Sequence, residues 1–394
     1  MGPGLRLPQG FERAPDLLAM GGELKATFCL TQGGEAMLSA HHGDLEDAAV
    51  FDQFRGSLAS YARRFAHAPR AMVVDCHPGY LSGKLARERA RESRLPLIEV
   101  QHHHAHVAAC LADNGRPLSA PPVLGIVLDG LGWGEDGTIW GGEFLLADYR
   151  QAERLGTFKP VAMLGGDRAS REPWRNLYAH LMAEMGWAEL SMNFGALEVY
   201  RFLESKPRAL LDGMLRNGIN SPEASSCGRL FDAMAAALGV CRERQAYEGE
   251  APQRLEALAD PHAVAAEDDS LAYPMSIPRL RGSGLPYLEP LMLWKAVLGD
   301  LVLETPPGVM SARFHKGLAR AIVAMASQLA AGSRFDTVAL SGGCFQNRLL
   351  FAQVTQRLGD AGFKILSHAR VPAHDGGLAL GQATIAAARL TRDA

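Results

Sequence analysis

The run Gln101-His102-His103-His104-Ala105-His106 concentrates more ligand chemistry than any other stretch of the chain. His102 and His106 are four residues apart, so a helix puts both imidazoles on one face, where they can hold a divalent metal. Zincin proteases share this spacing but follow the first histidine with a glutamate general base. Here that place is held by His103, which argues against a protease. Two Asp-Gly steps supply acidic partners. Asp129 ends the strand-like run VLGIVLD before a glycine-rich turn, and Asp375 ends the ARVPAH segment before Gly376 and Gly377. Either step alone is only a turn. Together with His102 and His106 they make a His2Asp2 set, whose mixed nitrogen and oxygen donors suit iron or zinc better than magnesium. The neighbouring glycines let backbone N–H groups approach phosphate oxygens.

Other polar groups sit at turns. Ser341-Gly342-Gly343 lies between a strand-like and a helix-like segment, the usual place for a nucleotide loop, although it is neither a Walker loop nor a dinucleotide fingerprint. Asn347 follows on the first helical turn, to face ligand or cap the helix. Cys344 stands at a helix start, where a thiolate is favoured, but is read as a packed residue. Gly165-Gly166-Asp167 precedes Arg171 and Arg175, arginines suited to carboxylate, phosphate or carbamoyl recognition, or to a structural ion-pair network. Tyr247-Glu248-Gly249-Glu250 is a turn that a substrate could share.

The elements that must position these residues follow from apolar runs and turns. Segments 24–30 and 35–43 read as a hairpin about a TQGG turn, and 123–130 with 138–148 as a second. Both lead towards helical sequence, which hints at internal duplication. Between them, 70–80 reads as a strand and turn, 81–94 as a helix, 95–100 as a strand and 101–115 as a helix stopped at Asn114-Gly115. GRPLSAPP, 115–122, reads as a linker. Residues 150–300 are mainly helical, including 224–241, with irregular structure over 260–284. The end returns to alternation: a strand at 335–340, a helix at 344–362, a strand at 363–371 and a helix at 378–390. Alternating strands and helices predict layered α/β structure with parallel strands.

Composition excludes several classes. The chain has 394 residues, enough for two or three domains at about 150 residues each. Its 40 basic and 43 acidic residues give a net charge of −3, which argues against a general nucleic-acid binder. The six cysteines form no C-x-x-C pair, which disfavours a zinc ribbon and suits reduced thiols in a cytosol. The N-terminus lacks an apolar signal region, Arg6 removes the myristoylation reading, and no run of 18 apolar residues predicts a membrane span. The expectation is a soluble cytoplasmic protein.

Seven motifs in order, VQHHHAHVAACLAD, LDGLGWGEDGTIWGGEFLLAD, GGDRASREPWR, GRLFDAMAAALGV, YEGEAP, LSGGCFQNRLL and HDGGLALGQA, resemble the HypF carbamoyltransferases of nickel–iron hydrogenase maturation. The likeness runs from about Leu18 to about Ala387 and is to the family's C-terminal part, which is related to tRNA threonylcarbamoyl transferases. It implies a two-lobed sugar kinase/Hsp70/actin-type α/β fold of duplicated RNase H-like units. One lobe would be 1–120 and the other 121–394, with the helical insertion at about 150–300. It implies use of carbamoyl phosphate and ATP through carbamoyl adenylate, and transfer to the C-terminal cysteine of HypE for cyanide-ligand synthesis. Residue by residue, His102, His106, Asp129 and Asp375 match the family's metal ligands. Gly342, Gly343 and Asn347 match its nucleotide loop, and Gly228 and Asp232 the motif approaching the ribose; Gly376 is taken as a further cofactor-binding residue. Lys25 and Arg171 are candidates for phosphate or carbamoyl contacts. His374 stands where the pattern has asparagine. The family's acylphosphatase-like, zinc-finger and adenylating modules have no counterpart in this sequence, which leaves three readings: carbamoyl adenylate received from a separate adenylating protein, direct use of carbamoyl phosphate, or a degenerate paralogue. The alternatives are a tRNA threonylcarbamoyl-type transferase and a nucleotide-binding maturation scaffold.

Overall fold

The computed structural model describes residues 4–391. Six strands build the first sheet: β1 (Leu5–Arg6), β2 (Leu17–Ala19), β3 (Cys29–Gln32), β4 (Glu35–Leu38), β5 (Ala71–Asp75) and β6 (Leu97–Val100). They lie in the order β1-β4-β3-β2-β5-β6. β2, β3 and β4 form an antiparallel meander, and β5 and β6 run parallel to β2. The second sheet contains β7 (Val123–Trp133), β8 (Ile139–Ala147), β9 (Ala152–Phe158), β10 (Val161–Ala162), β11 (Glu223–Ala224), β12 (Tyr287–Leu288), β13 (Thr337–Ser341) and β14 (Lys364–Leu366). Its central order, β9-β8-β7-β13-β14, repeats the first: a meander of three, then two strands parallel to its first member. This is the duplicated RNase H-like unit. The strand β2, central to the first sheet, is too short for an alternation signal and was not anticipated.

Helices fill the faces. Ala48–Arg64 starts at Asp47, whose carboxylate accepts from the amides of Ala49 and Val50, and packs with Leu81–Ser93 on one side of the first sheet. Helix His102–Asp113 is buried along its whole length because it lies between the two sheets, touching β7, β8 and β13. The last helix, Leu378–Leu390, crosses it and covers β2, β3 and β5 of the first sheet. A Cβ on Gly381 would overlap the Ala105 carbonyl, so glycine sets how closely these helices approach. Gln382 clamps Gly21 from both sides: its Oε1 accepts from the Gly21 amide at 2.9 Å and its Nε2 donates to the Gly21 carbonyl at 3.2 Å.

Three readings are corrected. The stretch 260–284 contains a short helix, Pro261–Ala266, because Asp260 accepts from the Ala263 amide and Pro261 suits the first turn. Of 363–371 only Lys364–Leu366 is strand; the amides of 369–371 turn away to the Asp113 carboxylate. The reading of 344–362 as one helix gives way to a 3-10 turn, Gly343–Gln346, then the helix Arg348–Asp360, capped by Asn347. No helix among the described residues is long and apolar enough to cross a membrane.

Candidate metal and nucleotide site between the lobes

His102 and His106 project from the buried helix at 0% and 1% side-chain exposure. Asp129 is not at a strand end as expected. β7 continues to Trp133, but its register with β8 shifts between Leu128 and Gly132, and this irregularity contains Asp129. Asp375 opens the 3-10 turn Asp375–Gly377 just before the last helix. Three elements thus converge, bringing four side chains together. His102 Nε2 is 3.4 Å from Asp129 Oδ2 and 3.9 Å from Asp375 Oδ1; His106 Nε2 is 3.5 and 3.6 Å from the same atoms. Donors bound tetrahedrally at about 2.1 Å lie about 3.4 Å apart, so the spacing matches a tetrahedral cation site. Both Nε2 atoms are buried without a hydrogen-bond partner, a costly arrangement that a cation would satisfy. Among the described residues these four are the group able to hold a metal.

The ligands are themselves held. His102 Nδ1 donates to Asp75 Oδ2 at 2.8 Å, and Asp75 Oδ1 accepts from the His77 amide. Asp75 ends β5 and was missed in the sequence; its one signal is an acid closing the strand MVV. His106 Nδ1 lies 3.3 Å from Ser341 Oγ, and Asp129 Oδ1 accepts from the Gly343 amide at 3.1 Å. Burial works against charge on His102, His106 and Asp129. Their mutual attraction, with Asp75 and Asp375, outweighs it and holds both imidazole pKa values up and that of Asp129 down.

Two cavities meet here. The smaller, about 340 Å³, is lined by Lys25, Asp129, Gly130, Gly228, Gly343 and Asn347, with neighbours from the Glu250–Leu258 helix. Gly342 has φ +100° and lies against the Leu128 backbone, which a side chain would strike. Gly228 packs on Gly130 in the same way. Asn347 accepts from the Leu350 amide as the helix cap and donates through Nδ2 to His315 Nε2 at 2.9 Å. Asp232 lines neither cavity. It is fully buried against Arg229, 2.7 Å away, and burial raises its pKa to about 6. Gly376 also lines neither; its carbonyl accepts from Thr27 Oγ1. His374 takes a capping role, its Nδ1 accepting from the Gly376 amide. Cys344 faces Cys227, and that contact together with burial pushes its thiol pKa well up, as a packed residue requires.

The larger cavity, about 660 Å³, opens between the lobes. Glu23, Asp44, Glu46, His77 and Tyr80 line it from the first lobe; Trp133, Asp167, Arg171 and Arg244 line it from the second. Arg171 and Arg244 have no carboxylate within ion-pair distance among the described residues. Asp129 and Glu248 line both cavities, and Lys25 Nζ bridges to Glu248 Oε2 at 3.2 Å, so this ion pair stands between them. Glu248 was expected only as part of a turn that a substrate could share.

The chain matches two family models: residues 12–113 match "HypF Kae1-like domain" and 125–382 match "Carbamoyltransferase, Kae1-like Domain, second subdomain". It is 44% identical over 386 residues to the carbamoyltransferase HypF of Rhodobacter capsulatus, covering 98% of this chain and 48% of that protein. It is 37% identical over 391 residues to a HypF homologue of Cupriavidus necator, covering 98% of this chain and 94% of that one. Among solved structures it resembles full-length HypF in a phosphate- and nucleotide-bound form, with TM-score 0.85, 31% identity, and coverage of 98% of this chain and 47% of the other. The chain thus spans about half the length of several curated relatives that it matches.

Proposed function

The chain belongs to the HypF carbamoyltransferase family, and from that membership we propose that it transfers a carbamoyl group to a protein thiol. The observation that carries the reading is the quartet His102, His106, Asp129 and Asp375, with two unpartnered imidazole nitrogens, at the meeting of two cavities. The donors fit a divalent cation, iron or zinc better than magnesium. Bound there, it would supply positive charge beside a phosphate leaving group.

The chain's own residues divide the remaining work. The nucleotide portion of carbamoyl adenylate, formed from carbamoyl phosphate and ATP, occupies the smaller cavity. Gly228, Gly342 and Gly343 let its phosphate approach the backbone, and the Lys25 ammonium supports its charge. The nucleotide-bound relative supports nucleotide binding as such. The acceptor, the C-terminal cysteine of HypE, enters through the larger cavity. Arg171 and Arg244 there are free to pair with its terminal carboxylate. The thiolate attacks the carbamoyl carbon, and the bond to the adenylate oxygen breaks with AMP leaving towards the smaller cavity. An adenylating activity outside these two lobes supplies the mixed anhydride. HypE then carries the group towards cyanide-ligand synthesis. Free cysteines throughout the chain support a cytoplasmic setting.

The test is the intact mass of HypE after incubation with this protein, carbamoyl phosphate, ATP and a divalent metal, with and without preformed carbamoyl adenylate. A carbamoyl-sized gain on the terminal cysteine that needs preformed adenylate is the expected result. No gain under either condition overturns transfer and leaves a nucleotide-binding scaffold.

A further inference from the structure

We infer that Ser341 and His368 form a directional hydrogen-bond relay that fixes the tautomer and orientation of His106, and so its competence as a metal ligand. This rests on the metal reading above. An imidazole that binds a cation through Nε2 must carry its proton on Nδ1. The two ligand histidines meet that need differently. His102 gives its Nδ1 proton to a carboxylate, Asp75. His106 has only the Ser341 hydroxyl, 3.3 Å away, which is as able to donate as to accept.

What decides the direction is the next partner. Ser341 Oγ lies 2.8 Å from His368 Nε2 and 3.4 Å from the Ala373 carbonyl. The shorter contact is the better acceptor for its proton, provided His368 Nε2 is bare. His368 is nearly buried, and its Nδ1 has no hydrogen-bond partner but lies 3.9 Å from Asp113 Oδ2. A bare Nδ1 would turn its lone pair on that carboxylate, whereas a protonated one is attracted to it. The favoured arrangement is therefore His368 with its proton on Nδ1, Ser341 donating to His368, and His106 donating to Ser341. The His106 Nε2 lone pair is then left for a cation. Asp113 also pins the loop that carries His368, accepting from the amides of Ala369 at 2.7 Å and Val371 at 3.3 Å. Asp113 and His106 are seven residues apart on one helix, so the same element places the ligand and anchors its relay.

Ser341 and His368 are thus positioning residues. Competition for Zn2+ against a chromophoric chelator measures the effect in wild type, Ser341→Ala, His368→Phe and His102→Ala. We expect a 10–100-fold loss of zinc affinity in the first two variants. The urea midpoint of the metal-free protein should barely move in His368→Phe. In zinc-loaded, 15N-histidine-labelled protein, the slowly exchanging Nδ1 proton of His106 should be present in wild type and lost in Ser341→Ala. Zinc affinity within twofold of wild type in both relay variants, with that proton retained, overturns the inference. Should Ser341→Ala fail to fold, His368→Phe tests the relay from its outer end. Wild type that binds no zinc, or His102→Ala that binds it normally, refutes the metal site itself, and the relay falls with it.

Discussion

At the scale of single residues, the site is built from groups that chemistry names and groups that only geometry names. His102 and His106 declare themselves by type and spacing, and Asp129 and Asp375 by carboxylates next to glycine. Asp75, Ser341 and His368 do not. An acid at a strand end, a serine and a lone histidine are common, and these three acquire meaning only because β5, β13 and the loop after β14 end beside one helix. The glycines of the Ser341-Gly342-Gly343 loop are equally constrained. At Gly342 the backbone is in a region open essentially to glycine, and a Cβ would strike the Leu128 peptide. Gly342→Ala should therefore cost about 2–4 kcal/mol, read as a lower urea midpoint at unchanged slope. An unaltered midpoint would mean that the loop adopts another conformation.

At the scale of elements, one helix does most of the positioning. His102–Asp113 is buried on every side, so its sequence lacks the polar stripe that marks a surface helix. Its histidines were legible, but its burial was not, because that comes from the second sheet and the last helix, which follow it in sequence. The short β2 and the exact course of β7 through Asp129 were hidden for the same reason: sheet pairing, not local pattern, defines them. The crossing with Leu378–Leu390 is set by Gly381. Gly381→Ala should force the helices apart at Ala105, which lies between the two candidate ligand histidines. We expect about 2–4 kcal/mol of destabilisation and weaker zinc binding, measured together by urea unfolding and chelator competition. Full zinc affinity in a destabilised variant would show that the ligand face does not depend on this crossing.

At the scale of the whole molecule, duplication was visible as two glycine-turned hairpins, and the repeated strand order is its structural form. The pH response is also a property of the whole. Burial, aided by Lys159, lowers the His180 pKa to about 3, and burial lowers that of His315 to about 4. Both stay neutral in the fold, whereas the unfolded chain protonates near pH 6.5. The contribution of these two histidines to stability should be constant above that pH and fall as pH drops from about 6.5 towards 4, by up to about 1.4 kcal/mol per pH unit for each histidine. His180→Phe should remove one histidine's share of that slope between pH 6.5 and 4.5; an identical slope would refute its assignment. The interlocking of the two halves has a consequence for how the protein is made. The Gly21 turn leaves the ribosome 361 residues ahead of its clamp, Gln382. At about 5–20 residues per second, β2, β3 and β5 wait tens of seconds for the helix that covers them. During synthesis the first lobe therefore keeps that apolar face open until the last helix arrives, and a ribosome stalled shortly before residue 378 leaves it uncovered.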